Sequence, residues 1–439
     1  MFKRKRKPKT RKSPVAKREK VKRMLGGDDK KGLFWRLHKK PNYSLIALVA
    51  MFLLGGIIMN FSASNYYGHQ NHSGDVFFYT TRHLLWIFIG ILAAYILYLI
   101  PINWIKKFSP VVLGIGILLL IYIVPEALFG DTVILADGST STSGIQMPFV
   151  LALNGAPRWI DIGIFNMQPS EIVKFGFAIY IAAWLTKEKN MTARNANNLY
   201  DHIKNVIAPF MVLLGIVSGL ILIQRDFDTT VVLALSILAI YFVSGTDRLH
   251  SIGTMVIIII GAIFGSLALI FVDYRRERLE TFFHLAVYGE PSSQESARDE
   301  AFQSFNSLVA LGAGGITGVG YNESVIKQGY LQEAAYTDSI LAIIAEEFGY
   351  IGTTLVIIGF IYFASIGYGI ALKAKSKFSS LVAVGMTSLI TIQAFLNIAA
   401  VLVVIPFGGM PLPFFTYGGT TTIISLACVG VLLNISKEN

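Results

Sequence analysis

The sequence predicts an all-α integral membrane protein of about ten transmembrane helices, N-in and C-in, with a large extracytoplasmic loop between helices 7 and 8. Three observations carry that prediction. Of 439 residues, 54% are hydrophobic and only 15% charged, and the mean hydropathy is +0.58, far from soluble averages. Apolar runs close to the ~20 residues that a bilayer core demands recur between short polar interruptions. Lys and Arg are concentrated on alternate connections, as in proteins whose cytoplasmic loops hold positive charge.

The first element is a basic tail, residues 1–41, expected to be a disordered cytoplasmic segment followed by one polytopic domain over 42–439. Residues 1–40 hold 18 Lys or Arg against Glu19, Asp28 and Asp29, leaving 20 basic and 24 acidic residues elsewhere. The formal charge of +11 therefore belongs to the tail alone, and the remainder is net negative. Such a tail fixes the first helix in the membrane and attracts anionic lipid headgroups, so membrane lipids rather than nucleic acid are its expected partner. It is too long and too basic for a secretory leader.

Spans are expected at 43–62, 81–101, 106–125, 169–186, 205–223, 228–245, 250–272, 338–370, 379–405 and 417–435. The predicted inner turns carry Lys106 and Lys107, then Lys187, Lys189, Arg194 and Lys204, then Arg248, then Lys373, Lys375 and Lys377. The predicted outer connections 63–79 and 406–416 carry neither Lys nor Arg, and 126–168 carries only Arg158. Segment 273–337 breaks the pattern with Arg275, Arg276, Arg278, Arg298 and Lys327, but it exceeds the ~60 residues over which the rule has force. Its cations call for another explanation. Within 126–168, the Ser/Thr/Gly run from Asp137 to Ser143 reads as flexible, as does Glu290 to Glu300, whereas Phe302 to Gly320 reads as a re-entrant or interfacial helix.

Ionisable residues at membrane depth are costly, so each is a functional candidate. Glu171 and Lys174 share a helix face, suited to an ion pair that either joins helices or shapes a cavity. Pro169 before them fits a first helical turn. Asp338 stands where a polar loop passes into the apolar run from Ile340, and either capping or catalysis accounts for it there. Glu346 and Glu347 lie roughly 12 Å further along that helix, too far to form a carboxylate pair with it. Cys428 is the only cysteine and the seven His show no ligand spacing, so no resident metal is expected, although a divalent cation could accompany a phosphate substrate.

Five ordered blocks resemble the SEDS family (shape, elongation, division and sporulation). The first is Gly155-Ala156-Pro157-Arg158-Trp159-Ile160, continuing to Gln168-Pro169-Ser170-Glu171. The second is Tyr274-Arg275-Arg276-Glu277-Arg278 with Phe282, and the third runs from Gln303 to Gly320. The fourth joins Ser324, Lys327, Tyr330-Leu331, Glu333 and Thr337-Asp338 to Glu346-Glu347-Phe348-Gly349-Tyr350. The last is Asn397-Ile398, Pro406, Pro411-Leu412-Pro413 and Tyr417-Gly418-Gly419. Three stretches depart from the family's pattern. The family's Y-L-P-E-x-H-T-D is Tyr330 to Asp338 here, with one extra residue and neither Pro nor His. Its Q-P-D-x-G-T is Gln224-Arg225-Asp226-Phe227-Asp228-Thr229, and its Y-G-G-S-S ends in Thr420-Thr421.

The resemblance implies a peptidoglycan glycosyltransferase that polymerises lipid II and releases undecaprenyl pyrophosphate. Asp338 would be the catalytic carboxylate. Lys327, Arg158, Arg278 and Arg275 would bind phosphate or sugar, and Glu171 and Lys174 would shape the cavity. It also implies a single-pass class B penicillin-binding protein as transpeptidase partner, other divisome proteins, and a place in the bacterial cytoplasmic membrane at the septum. The long tail and the Tyr274 to Arg278 block favour the division branch over the elongation branch. A lipid II flippase, or a scaffold without activity, would suit the same spans.

Overall fold

The computed structural model describes residues 40–437 except 135–139, 154–155, 164–165, 188–202, 246–251, 256–257, 260, 262–279, 281, 286–297 and 407. The basic tail up to residue 39, most of the expected span 250–272, and Arg275, Arg276 and Arg278 lie outside the described residues. Helices come in the order α1 Tyr43–Asn71, α2 Phe78–Leu99, α3 Ile102–Phe129, α4 Pro169–Leu185, α5 Ala208–Ile223 and α6 Phe227–Ser244. They continue with α7 Arg298–Gly314, α8 Ile340–Lys373, α9 Lys377–Val401 and α10 Gly419–Ser436. Among the described residues, eight helices are long and apolar enough to cross a membrane. One of the eight is α5 extended by a π turn to Ile203–Ile223, and the 17-residue α4 falls short of them all, yet it is buried along most of its length.

Local signals set the helix ends. Asn42 accepts the Leu45 N–H at 3.0 Å and so caps α1, as a short amide side chain does well. Pro169 opens α4 where its missing N–H has no partner to lose. Helix packing gains little from hydrophobicity inside lipid, so interhelical hydrogen bonds and close fit matter more. Asn434 of α10 shows this by donating to the Leu97 and Ile100 carbonyls, which the end of α2 leaves without helical partners. Burial sorts the helices: 83% of the most apolar stretch of α9 is buried, against 22% for α2. The exposed Phe88, Ile91, Leu92 and Tyr95 of α2 are the apolar surface expected toward acyl chains.

One expectation is corrected. The fold is not all-α, because 130–167 carries two small antiparallel sheets. Strand β1 Gly130–Ile134 pairs with β2 Thr140–Gly144, and β4 Ala156–Asp161 lies between β3 Val150–Leu153 and β5 Asn166–Met167. The Ser/Thr-rich run read as flexible thus includes a strand. β-Branched Thr suits a pleated surface, and pairing satisfies backbone groups that a loose loop at a membrane boundary would leave bare. A hairpin signal was present at Asn154-Gly155, between β3 and β4, a dipeptide favoured in two-residue turns.

The long helix α8 is broken at Gly349, whose φ of 66° and ψ of −159° are not helical. Residues 315–320 fill the break. Val319 N donates to Glu346 O and Gly320 N to Glu347 O, while Tyr350 N and Ile351 N return bonds to Gly315 O and Ile316 O. Contact is close enough that a Cβ on Gly349 would lie 2.5 Å from Gly318 N, and one on Gly318 would lie 2.1 Å from Glu347 O. Both glycines have positive φ, so neither position suits a larger residue. The Gly-rich run after α7 is therefore a packing element.

Candidate active site

Asp338 follows a single 3-10 turn, Gln332–Ala335, and precedes α8 by two residues. Capping does not account for it. Ser339 holds the N-cap position of α8 without a side-chain bond, and Thr337 Oγ1 donates backward to Glu333 O at 2.8 Å. The Asp338 backbone carbonyl accepts Asn397 Nδ2 at 2.7 Å, which fixes the segment to α9. Gly409, at φ 62°, leaves room beside the carboxylate: a Cβ there would come 3.2 Å from Asp338 Oδ2. Loss of hydration pushes the carboxyl up to about 6 from 3.8, and the nearby charge of Arg158 works against that rise. Among the described residues, Ser339 Oγ and Asn397 Oδ1 are buried beside it without partners, as are polar atoms that await water or ligand.

Arg158 reaches this neighbourhood from β4. Its guanidinium donates to the Gln224 carbonyl at 3.1 Å and to that of Arg225, whose φ is 61°. The adjoining Asp226 caps α6 through Thr229 N at 3.2 Å and accepts Gln168 Nε2 at 3.0 Å. Arg158 therefore braces the 224–226 turn and supplies positive charge to Asp338. A role as direct phosphate ligand uses only the donors that remain.

Glu171 and Lys174 pair as expected, at 2.7 Å and almost fully buried. Sequence reasoning missed where the pair leads. Lys174 Nζ donates to Gln393 Oε1 at 2.9 Å, and Gln393 Nε2 donates to Pro411 O at 3.0 Å. One turn on, Asn397 Nδ2 donates to Met410 O as well as to Asp338 O. The ion pair is thus linked through α9 to the 408–411 loop beside the carboxylate. The available signal was two amides four residues apart in an apolar run, which share one helix face.

Lys327, expected to bind phosphate or sugar, is buried, and its ammonium donates to Glu347 Oε1 at 2.9 Å, Ser62 Oγ at 2.9 Å and Asn322 Oδ1 at 2.7 Å. An ammonium has three N–H groups, and these acceptors use all of them. Its charge is neutralised twenty residues along the chain by Glu347. Neighbouring Glu346 binds the same segment through Ser324 Oγ and Val325 N. Both glutamates therefore hold the 315–327 loop and stay apart from Asp338.

Four tyrosines from separate segments also gather next to Asp338, and no single stretch of sequence foretold it. Tyr336 packs on Tyr79 with ring centroids 4.5 Å apart, on Tyr67 at 5.7 Å and on Tyr417 at 5.8 Å. Tyr67 donates to Glu333 Oε1 at 2.8 Å, and Tyr417 N to Tyr336 O at 2.9 Å.

With this geometry in view, the family of FtsW, RodA and SpoVE, described as cell cycle proteins, matches residues 43–439. The chain belongs to this family. A probable peptidoglycan glycosyltransferase FtsW of Coxiella burnetii is 31% identical over 386 residues, covering 87% of this chain and 92% of that protein. Stage V sporulation protein E of Bacillus subtilis is 32% identical over 401 residues, covering 90% and 97%. Among solved structures, a peptidoglycan synthase complex described as coordinating polymerization and crosslinking aligns with a TM-score of 0.64 at 20% identity, over 90% of this chain and 98% of its match. Rod shape determining protein RodA of Thermus thermophilus aligns at 0.58 and 19%, over 90% and 97%. These structures share the fold. In this FtsW/RodA/SpoVE chain the 3-10 turn before Asp338 opens with Gln332 at a φ of 46°, and Tyr336 just after it enters the tyrosine cluster.

Proposed function

We propose that the protein is a multi-pass peptidoglycan glycosyltransferase that polymerises lipid II on the outer face of the bacterial cytoplasmic membrane. The supporting observation is Asp338: an isolated, desolvated carboxylate beside a glycine loop and partnerless polar atoms, with a guanidinium charge nearby. In this reading, the chain has about ten spans with both ends in the cytoplasm, and Asp338 stands at the headgroup level. Asp338 takes the proton of an acceptor sugar 4-hydroxyl as that oxygen attacks the anomeric carbon of the donor. The bond to undecaprenyl pyrophosphate breaks, and cations stabilise the departing charge. Arg158 supplies field from its braced position, and Arg275 and Arg278 are the candidates for direct contact. Any divalent cation would arrive with the pyrophosphate.

The names of the relatives favour a septal role in division, with a class B penicillin-binding protein to crosslink the strands. Asp338→Asn should abolish glycan polymerisation from purified lipid II at normal protein abundance. Full activity in that variant would remove the assignment. Translocation of lipid II in vesicles, measured beside polymerisation, distinguishes a flippase.

A further inference from the structure

A cavity of about 250 Å³ lies between α1 and the 315–336 loop, apart from the reacting carboxylate. Its walls are the rings of Phe61 and Tyr66, the amides of Asn65, Asn322 and Gln328, the imidazole of His69, and the Val76 and Lys327 side chains. Phe61, Asn65 and Tyr66 are half-buried, and the opposite wall is firm because Asn65 Nδ2 donates to Asn322 Oδ1 at 2.7 Å. Lys327 brings no free charge, since Glu347 neutralises it and all its N–H groups are engaged. An anion would find no unpaired lysine here. Aromatic faces, amides and a volume below the ~300–1,000 Å³ of ordinary small-molecule sites instead suit one compact, neutral, many-donor ligand.

From this chemistry, we infer that the α1 cavity is a saccharide subsite that holds an N-acetylated sugar of the glycan strand, distinct from the sugars reacting at Asp338. The inference rests on the polymerase reading and extends it. Position supports it as well as chemistry. Tyr66 precedes Tyr67, whose ring packs on Tyr336 two residues before Asp338, so the cavity and the carboxylate flank the same tyrosine cluster. The cavity thus adjoins the cluster that adjoins the reacting carboxylate, and a strand held there would stay attached between additions.

The test uses the full-length protein in nanodiscs with N,N′,N″-triacetylchitotriose, followed by saturation-transfer NMR. The wild type should transfer saturation to acetyl and ring protons, and Tyr66→Ala and Gln328→Ala should each reduce transfer several-fold with thermal unfolding unchanged. Inorganic pyrophosphate at equal concentration should leave the signal intact. With lipid II as substrate, the two variants should make strands several-fold shorter than wild type. Absence of transfer in the wild type, equal transfer in the variants, or displacement by pyrophosphate would overturn the subsite. A wild type that binds chitotriose yet polymerises nothing would overturn the polymerase reading and leave the subsite standing.

Discussion

Acidification should silence this enzyme well above the pH at which an ordinary aspartate loses its charge. Burial pushes the Asp338 carboxyl up to about 6, and a general base acts only while ionised. At pH 5 a group of that pKa is about one-tenth ionised, whereas one at the ordinary carboxylate value is about nine-tenths ionised. The polymerisation rate from saturating lipid II should therefore fall roughly tenfold between pH 7 and pH 5. Arg158→Gln removes the charge that opposes the shift, so the acid limb should move to higher pH, while Arg158→Lys should hold it nearer its original position. Movement of the limb with a protein substitution distinguishes Asp338 from titrating lipid phosphates. The shift also bears on stability. With the folded pKa above the unfolded one, the contribution is fully present below about 3.8 and is lost as pH rises through about 6, a difference of at most ~3 kcal/mol. A rate at pH 5 that stays near its neutral value, or a limb that ignores Arg158, refutes Asp338 as the base.

Breaking the buried pair should be costly from either side: Lys327→Met or Glu347→Gln alone should cost about 3–5 kcal/mol, and the double variant should recover part of it, read by thermal unfolding in detergent. Gly349→Ala should lower yield and melting temperature markedly, because its Cβ would strike the Gly318 backbone at a φ that disfavours side chains. Wild-type stability there would contradict the broken-helix geometry. Lys174→Met should slow polymerisation through loss of its bond to Gln393 and the 408–411 loop, and Gln393→Leu should do the same. If Gln393→Leu retains full rate, the link from the ion pair to the loop has no catalytic role.

Apolar runs and charge asymmetry made the membrane helices legible, since length and hydropathy alone dictate them: every expected span other than 250–272 coincides with a helix. Asp338 stood out as a candidate because a carboxylate at the entry to an apolar run is costly, with capping and catalysis both open on that ground alone. Glu171 and Lys174 were legible because helical spacing brings them together. The ion pair of Lys327 was not legible for a physical reason: its acceptors come from α1, from the 322 position and from the far side of the 3-10 turn, so sequence adjacency concealed its neutralisation. The tyrosine cluster draws on four separate segments and has no local signature. The small sheets were hidden by a polar composition that suits loops, although Asn154-Gly155 carried the hairpin signal.

The break in α8 has a mechanical meaning. Ile340 to Phe348 forms a stiff rod roughly 13 Å long at 1.5 Å per residue, fixed at Gly349 by the 315–320 backbone and at the Asp338 end by Asn397. The 315–327 loop grips that rod near Gly349 through backbone bonds and through Glu346 and Glu347. Held at both ends, the rod is a rigid mount for the carboxylate, and tenths of an ångström at its tip decide whether that group reaches a sugar hydroxyl. The precision of the reacting centre is thus set a rod's length away, by glycines and backbone bonds that touch no substrate.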